Sequence, residues 1–243
     1  MKNLLHIPYS LPFARYYREF DSGFYVDFPK QLELMGGWFE EFKCKRTLDI
    51  GAITGGCIEY ISKLGIRMDG VQFTKDLKSL TASKLRESGV ESKLFVSPID
   101  GPFNVPKGNK YDGIVTLGWF NLPLSDTYIK RYLDKINSLL NPGGVFLFDF
   151  FEFRDIVIPP TEAENFGPDI LYISHSELLS KTLRRYHLWV LDHENLLTEV
   201  SDLVDRSLNQ IRGYLTQCEF SLERSQFLSL NYPRYFCVAT KAH

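Results

Sequence analysis

The sequence predicts one α/β domain over residues 1–243, in which a mostly parallel sheet is flanked by helices. Two observations lead to this class. Short β-branched and apolar runs alternate with helical stretches between residues 46 and 151. The chain of 243 residues is 44% hydrophobic, which is enough to bury a substantial core.

The alternating part of the chain is predicted to hold five strands and four helices. The strands are expected at Arg46–Ile50, Arg67–Phe73, Ser92–Ser97, Tyr111–Leu117 and Val145–Phe151. The helices are expected at Pro29–Phe42, Gly55–Leu64, Lys75–Ser88 and Ser125–Leu140. The last helix stops because Pro142 cannot continue the ladder and the two following glycines accept a turn. A helix ending at Gln217 and two strands, Phe220–Phe227 and Tyr235–Lys241, complete the chain.

Two further segments decorate this core. Residues 154–204 contain β-forming runs around a hairpin turn at Asp192–Asn195, which predicts an antiparallel β insertion before the last helix. This insertion serves either as a cap over a substrate or as a sheet extension for dimerisation. Residues 1–43 combine an aromatic-rich lead-in with a helix, and we expect them to form an N-terminal lid.

Composition favours a small-molecule ligand. The net charge of -2 provides no broad basic field, so a nucleic-acid partner is not expected. No run is long enough to span a bilayer, and no secretory signal is evident. The four cysteines lack paired spacing, which argues against a metal site or a disulfide framework and favours the reducing cytoplasm. A homodimer is an open alternative to a monomer.

The most informative segment runs from Thr47 to Gly56, where a strand ends and breaks into glycines before a helix. Glycines there allow a ligand to approach the backbone, and the start of the helix presents free N–H groups. Asp49 lies two residues before Gly51, in position to bind an amino-bearing ligand group. A Rossmann dehydrogenase would need the pattern G-x-G-x-x-G, and a P-loop would need a following Gly-Lys-Ser/Thr; the chain has neither.

This segment resembles motif I of the class I S-adenosylmethionine (SAM)-dependent methyltransferases, an acid followed by x-Gly-x-Gly-x-Gly. Ile53 stands at the position of the middle glycine. The run Leu139–Gly144 resembles the L-x-P-G-G segment before the fifth strand of that family. The resemblance covers nearly the whole chain, and it implies a Rossmann-like methyltransferase sheet with SAM as the cofactor.

The resemblance also implies a set of cofactor contacts. Gln72 stands where the family has an acid that bonds the ribose hydroxyls, and Phe73 is expected to pack on adenine. Asp100 corresponds to the acid that bonds the adenine amino group, with a turn residue as the alternative. The expected cofactor-binding residues are Asp49, Gly51, Ala52, Gly55, Gln72, Phe73, Asp100, Leu117, Gly118 and Trp119.

The implied activity is methyl transfer from SAM to an amine or hydroxyl of a small-molecule metabolite, as in a biosynthetic pathway. His187 is the first candidate for a catalytic base, and Tyr17, Tyr25 and Asn121 are candidates for contacts with the substrate. The segment after the fourth strand lacks the Asn-Pro-Pro-Tyr order, which disfavours methylation of amides or nucleobases. Two alternatives remain open on the same fold: lyase, cyclase or isomerase chemistry at a drifted SAM site, and a non-catalytic partner.

Overall fold

We describe a computed structural model of the chain. The structure describes residues 28–98, 104–106, 108–152, 161–165, 170–192, 195–228 and 234–242. Within these ranges, no helix is long and apolar enough to cross a membrane.

A seven-stranded sheet forms the centre of the protein, in the order β10-β11-β5-β4-β1-β2-β3. Strands β1 to β5 run parallel, whereas β11 is antiparallel to both β5 and β10. The strands are β1 (Arg46–Ile50), β2 (Arg67–Gln72), β3 (Leu94–Val96), β4 (Tyr111–Thr116), β5 (Leu140–Phe150), β10 (Phe220–Leu228) and β11 (Arg234–Lys241). The strand order reverses between β1 and β4, so a ligand site is expected beyond their carboxyl ends.

Helices cover both faces of this sheet. They are α1 (Phe28–Glu41), α2 (Gly56–Lys63), α3 (Lys75–Glu87), α4 (Asp126–Leu139) and α5 (Leu208–Gln217). Alternating side chains of β5 serve the two faces: Phe146 and Phe148 pack with α4 and α5, whereas Val145 and Leu147 pack with α1 and α2. The two apolar layers fix where the strand ends lie.

A second, antiparallel sheet of four strands lies between β5 and α5 in the chain. Its order is β6 (Thr161–Asn165), β7 (Ile170–Ser180), β8 (Leu183–Asp192) and β9 (Asn195–Val204). The predicted antiparallel insertion is therefore present.

The structure differs from the sequence prediction most clearly at three places, and β3 is also shorter, at Leu94–Val96 instead of Ser92–Ser97. Strand β5 begins at Leu140, directly after α4, because Leu140 pairs with Tyr111 of β4 and this pairing outweighs the Pro-Gly-Gly run. Strand β6 was not expected from the sequence Thr-Glu-Ala-Glu-Asn, which is poor in β-formers; it forms by pairing with β7. A short 3₁₀ helix, Trp119–Asn121, follows β4.

Candidate functional site

The turn after β1 approaches its neighbours closely at Gly51. Its φ of 88° lies in the left-handed region, and its N–H donates to the Val71 carbonyl at 2.9 Å. A Cβ at Gly51 would lie 3.0 Å from Cζ of Phe73, which is tighter than ordinary contact. The Phe73 ring therefore lies directly against the bare backbone of Gly51, and we call the surface formed by these two residues the glycine cradle.

Ile53 adopts a left-handed conformation, with a φ of 25°. Such a conformation costs a β-branched residue about 1–2 kcal/mol. Its carbonyl accepts hydrogen bonds from the Thr81 hydroxyl at 2.6 Å and from the Gln72 amide at 3.3 Å. The side chain is half-buried and belongs to neither apolar core cluster. The carbonyl of Ile53 is thus anchored by the protein, while its side chain does not fill the core.

Gln72 ends β2 with a fully buried side chain. Its Nε2 donates to the Thr81 hydroxyl at 2.7 Å as well as to the Ile53 carbonyl. Its Oε1 is buried and has no hydrogen-bond partner among the described residues. An unsatisfied buried acceptor costs about 1–3 kcal/mol, and this oxygen has almost no surface open to solvent.

Asp49 belongs to β1, which lies between β2 and β4 in the sheet. It stands opposite Gly70 of β2 and Val115 of β4 and is 3% exposed. Burial raises the pKa of its carboxyl to about 7, and a hydrogen bond with Cys57 opposes this shift. No cation among the described residues forms an ion pair with it. A buried carboxyl without a cationic partner, next to a glycine cradle, can bind an ammonium group.

Gly118 continues the site after β4, with a φ of 68°. Its N–H donates to Asp149 of β5, and Arg234 of β11 donates to the second oxygen of that carboxylate at 2.9 Å. Asp149 and Arg234 are both buried. No described atom lies within 4 Å of the place where a Cβ at Gly118 would stand, so the described part of the chain leaves this backbone uncovered.

The Trp119 side chain is packed inside the protein. Its ring stacks on Tyr132 of α4 with centroids 3.6 Å apart, and it is 2% exposed. Its indole N–H is buried with no acceptor among the described residues. Leu117 packs against the apolar layer that includes α1 and α2.

Asn121 contacts backbone groups on two sides. Its Nδ2 donates to the carbonyls of Phe151 at 2.9 Å and Val204 at 3.0 Å, and its Oδ1 accepts from the Phe151 N–H at 2.7 Å. The side chain is fully buried. The described contacts of this candidate substrate residue therefore join the ends of β5 and β9 to the segment after β4.

His187 lies apart from these residues, within the four-stranded sheet. Its Nε2 lies 3.3 Å from Glu177 Oε1, its ring stacks on Trp189, and it stands opposite His175. Neighbouring positions in a strand point to opposite faces, so His187 does not share the face that carries the buried Ser174 and Ser176. The geometry gives it no described contact with Asp49, Gly51 or Gly118.

Three predicted site residues, Tyr17, Tyr25 and Asp100, lie outside the described residues. The remaining predicted cofactor residues end or follow β1, β2 and β4 at the same edge of the sheet. In the part of the chain that the structure describes, no group of His, Cys, Asp and Glu is arranged to hold a metal ion.

Comparisons with solved structures identify this architecture. A SAM-dependent methyltransferase from Clostridium acetobutylicum ATCC 824 superposes with a TM-score of 0.82 at 16% identity, covering 96% of this chain and 100% of that one. The fold is that of the class I SAM-dependent methyltransferases. The resemblance seen in the sequence is confirmed at the level of the fold.

Two other similar structures come from enzymes that act on sugars. An amino pentose methyltransferase from Micromonospora echinaspora, involved in calicheamicin biosynthesis and solved with SAM, has a TM-score of 0.72 and 15% identity, with both chains fully covered. A sugar N-methyltransferase from Streptoalloteichus sp. ATCC 53650 has a TM-score of 0.75 and 14% identity, covering 100% of this chain and 98% of that one. No protein-family model and no curated protein matches the sequence.

Proposed function

We propose that this protein is a SAM-dependent methyltransferase that transfers a methyl group to an amine of a small-molecule metabolite. The observation that carries the proposal is Asp49, a buried carboxyl without a cationic partner among the described residues, beside the cradle at Gly51. SAM presents an ammonium group and a nucleoside, and these two features match the carboxyl and the cradle. The fold supports the assignment.

The residues at the sheet edge fit the parts of SAM. Asp49 would hold the amino group. The Gln72 side chain, whose Oε1 has no partner among the described residues, would rotate to accept a ribose hydroxyl. Phe73 would pack on the adenine, and the open backbone at Gly118 would border the methionine part. When bound, SAM supplies an electrophilic methyl group on its sulfonium.

An amine acceptor fits the described side chains better than a hydroxyl. A hydroxyl nucleophile benefits from a nearby base, whereas an amine only needs to arrive unprotonated. Asp149, a carboxylate at the end of β5, is already bonded to the Gly118 N–H and the Arg234 guanidinium. His187 contacts Glu177 in the outer sheet. The task left to the protein is to hold the amine in line with the methyl group and to exclude water.

The four-stranded sheet is proposed to cover the acceptor. One of its faces is buried although it carries several polar side chains. This face includes Tyr172, Ser174, Ser176, Val190 and Glu199. Hydroxyl and carboxylate groups on a buried face suit an acceptor that itself carries hydroxyls and an amine. Two structural neighbours act on an amino pentose and on a sugar nitrogen, and an amino sugar is the acceptor class that we infer.

Calorimetry with the demethylated product S-adenosylhomocysteine tests the cofactor assignment. We expect binding by the wild type, and at least tenfold weaker binding by Asp49→Asn, because a hydrogen bond to a charged group contributes about 1.5–3 kcal/mol. Glu33→Gln, an exposed substitution on α1, is the control and should bind like the wild type. No heat of binding with the wild type would refute the proposal.

Acceptor chemistry requires a second assay. Methyl-labelled SAM is incubated with pairs of sugars that differ only in carrying an amine or a hydroxyl at one carbon. We expect label in the amino member of a pair and none in its hydroxyl partner. Label confined to hydroxyl sugars would keep the methyltransferase but contradict the amine acceptor.

A further inference from the structure

One buried cation holds the segment after β4. The guanidinium of Arg206 donates from Nη1 to the carbonyls of Phe120 and Leu122, the latter at 2.8 Å, and from Nη2 to the Leu124 carbonyl at 2.7 Å. This segment is irregular, so its carbonyls do not belong to a sheet ladder or to a long helix. A single side chain therefore bonds three backbone carbonyls and fixes their relative positions, although the Leu122 carbonyl also accepts from the Leu124 N–H at 2.7 Å.

Burial of this guanidinium is expensive. Arg206 is 5% exposed, and no carboxylate among the described residues lies within 4.0 Å of it. Burial lowers the pKa of Arg206, and Tyr214 and Asp126 oppose that shift. An apolar side chain would avoid the desolvation penalty, but the buried Phe120 carbonyl and the part-buried Leu124 carbonyl would lose the donors described here. The Leu122 carbonyl would keep its bond from the Leu124 N–H. The cost of burying this cation is therefore offset by bonds that hold the segment after β4 in one position.

A second side chain, that of Asn121, also joins the end of β9 to the segment after β4. We call this contact region the junction. Arg206 lies two residues after the end of β9 and reaches the segment after β4, whereas Asn121 lies in that segment and donates to the carbonyl of Val204, the last residue of β9. Strand β9 also contacts the 3₁₀ helix at residues 119–121. The end of the four-stranded sheet and the segment after β4 thus hold one another reciprocally.

We propose that Arg206 is a positioning residue that couples the four-stranded sheet to the segment after β4. The inference rests on the proposed function, because Gly118 in that segment borders the proposed methyl-donor site. Ligand binding at Gly118 then restrains residues 118–124, and the guanidinium passes this restraint to residues 195–204 of the sheet. Donor binding and the placement of the acceptor cover become one event.

Hydrogen exchange with and without S-adenosylhomocysteine tests the coupling. In the wild type, we expect this ligand to slow exchange at least threefold both at residues 118–124 and at residues 195–204. In Arg206→Met, the ligand should still slow the first segment but lose its effect on the second. Arg212→Met, on the exposed face of α5, is the matched control and should behave like the wild type. A purely structural role would raise exchange without removing the ligand-dependent part.

The outcomes separate this inference from the function on which it rests. If the wild type binds S-adenosylhomocysteine but Arg206→Met keeps the ligand effect at residues 195–204, the coupling is refuted and the methyltransferase assignment stands. If the ligand has no effect on residues 195–204 of the wild type, the coupling is likewise refuted. If the wild type shows no heat of binding, both fall. Should Arg206→Met fail to fold, Arg206→Lys carries the test: its single ammonium cannot span three carbonyls, so the ligand effect on β9 should shrink at least twofold.

Discussion

Replacing Asp49 with asparagine should make the ligand-free protein more stable than the wild type. The same substitution should weaken ligand binding, so the ligand should stabilise the variant less than it stabilises the wild type. Asp49 is 3% exposed, and burial raises its pKa from 3.8 to about 7. The shift of about three pH units corresponds to roughly 4 kcal/mol, at about 1.36 kcal/mol per unit. This is the free energy that the folded chain loses by carrying the ionised carboxylate.

The pH at which this loss appears follows from the direction of the shift. Between about pH 4 and pH 7 the folded protein keeps a proton on Asp49 that the unfolded chain releases, so stability falls as the pH rises. Below this range the carboxyl is protonated in both states, and above it the loss is complete. Asp49→Asn should therefore match the wild type at pH 4 and exceed it at pH 8 by up to about 4 kcal/mol.

Urea denaturation of both proteins at pH 4, 6 and 8 provides the measurement, and the difference between them isolates Asp49 from other titrating groups. Calorimetry gives the complementary result. If the ionised carboxylate binds the ligand ammonium, wild-type affinity for S-adenosylhomocysteine should rise about tenfold per pH unit between pH 5 and 7, while that of Asp49→Asn stays flat. The reasoning is wrong if the stability difference is the same at all three pH values, or if wild-type affinity does not change between pH 5 and 7. Glu33→Gln serves again as the control.

Three other substitutions test the site. Gly51→Ala and Gly65→Ala should each lose about 1–2 kcal/mol of stability, because both positions have a positive φ. Only Gly51→Ala should also weaken binding of S-adenosylhomocysteine, because its Cβ would displace the Phe73 ring. Thr81→Val removes the hydroxyl that bonds the Ile53 carbonyl. This variant should lose about 1–3 kcal/mol of stability in urea denaturation and bind S-adenosylhomocysteine more weakly. Unchanged affinity would mean that the turn does not need this hydrogen bond. Asn121→Leu should cost about 2–5 kcal/mol by thermal or urea unfolding, and a loss below 1 kcal/mol would show that its three backbone bonds do not hold the junction.

Much of the parallel sheet could be predicted because its signals are local. The run from Arg46 to Ile50 is observed with the predicted bounds, and the following glycines mark the turn to α2. Strand β5 was harder: Pro142 and the glycines after it argue against a strand, and only pairing with β4 overrides them. Pairing partners distant in sequence are not visible in a local pattern.

The side chains that hold the site together could not be predicted either, because their hydrogen-bond partners are also distant in sequence. Thr81 lies nine residues after Gln72, on the buried side of α3, and looks like any helix threonine. Arg206 is more than 80 residues from the three carbonyls that it bonds. An arginine next to a predicted helix start reads as a surface charge, and only the folded backbone reveals that it is buried. Similarly, Asn121 was recognised as a site candidate without any indication that its partners are main-chain groups.

The hydrogen bonds of Asn121 to both Phe151 and Val204 have a consequence for how the segment between these two residues can be replaced. The chain leaves the central sheet at Phe151 and approaches it again at Val204, and one amide group joins these two points. Strands β6 to β9 form a sheet of their own, so we expect an exchange of them to leave the pairing of β1, β2 and β4 intact. On the proposed function, we expect that grafting residues 152–203 from a sugar methyltransferase of the same fold, with the asparagine retained, alters acceptor preference.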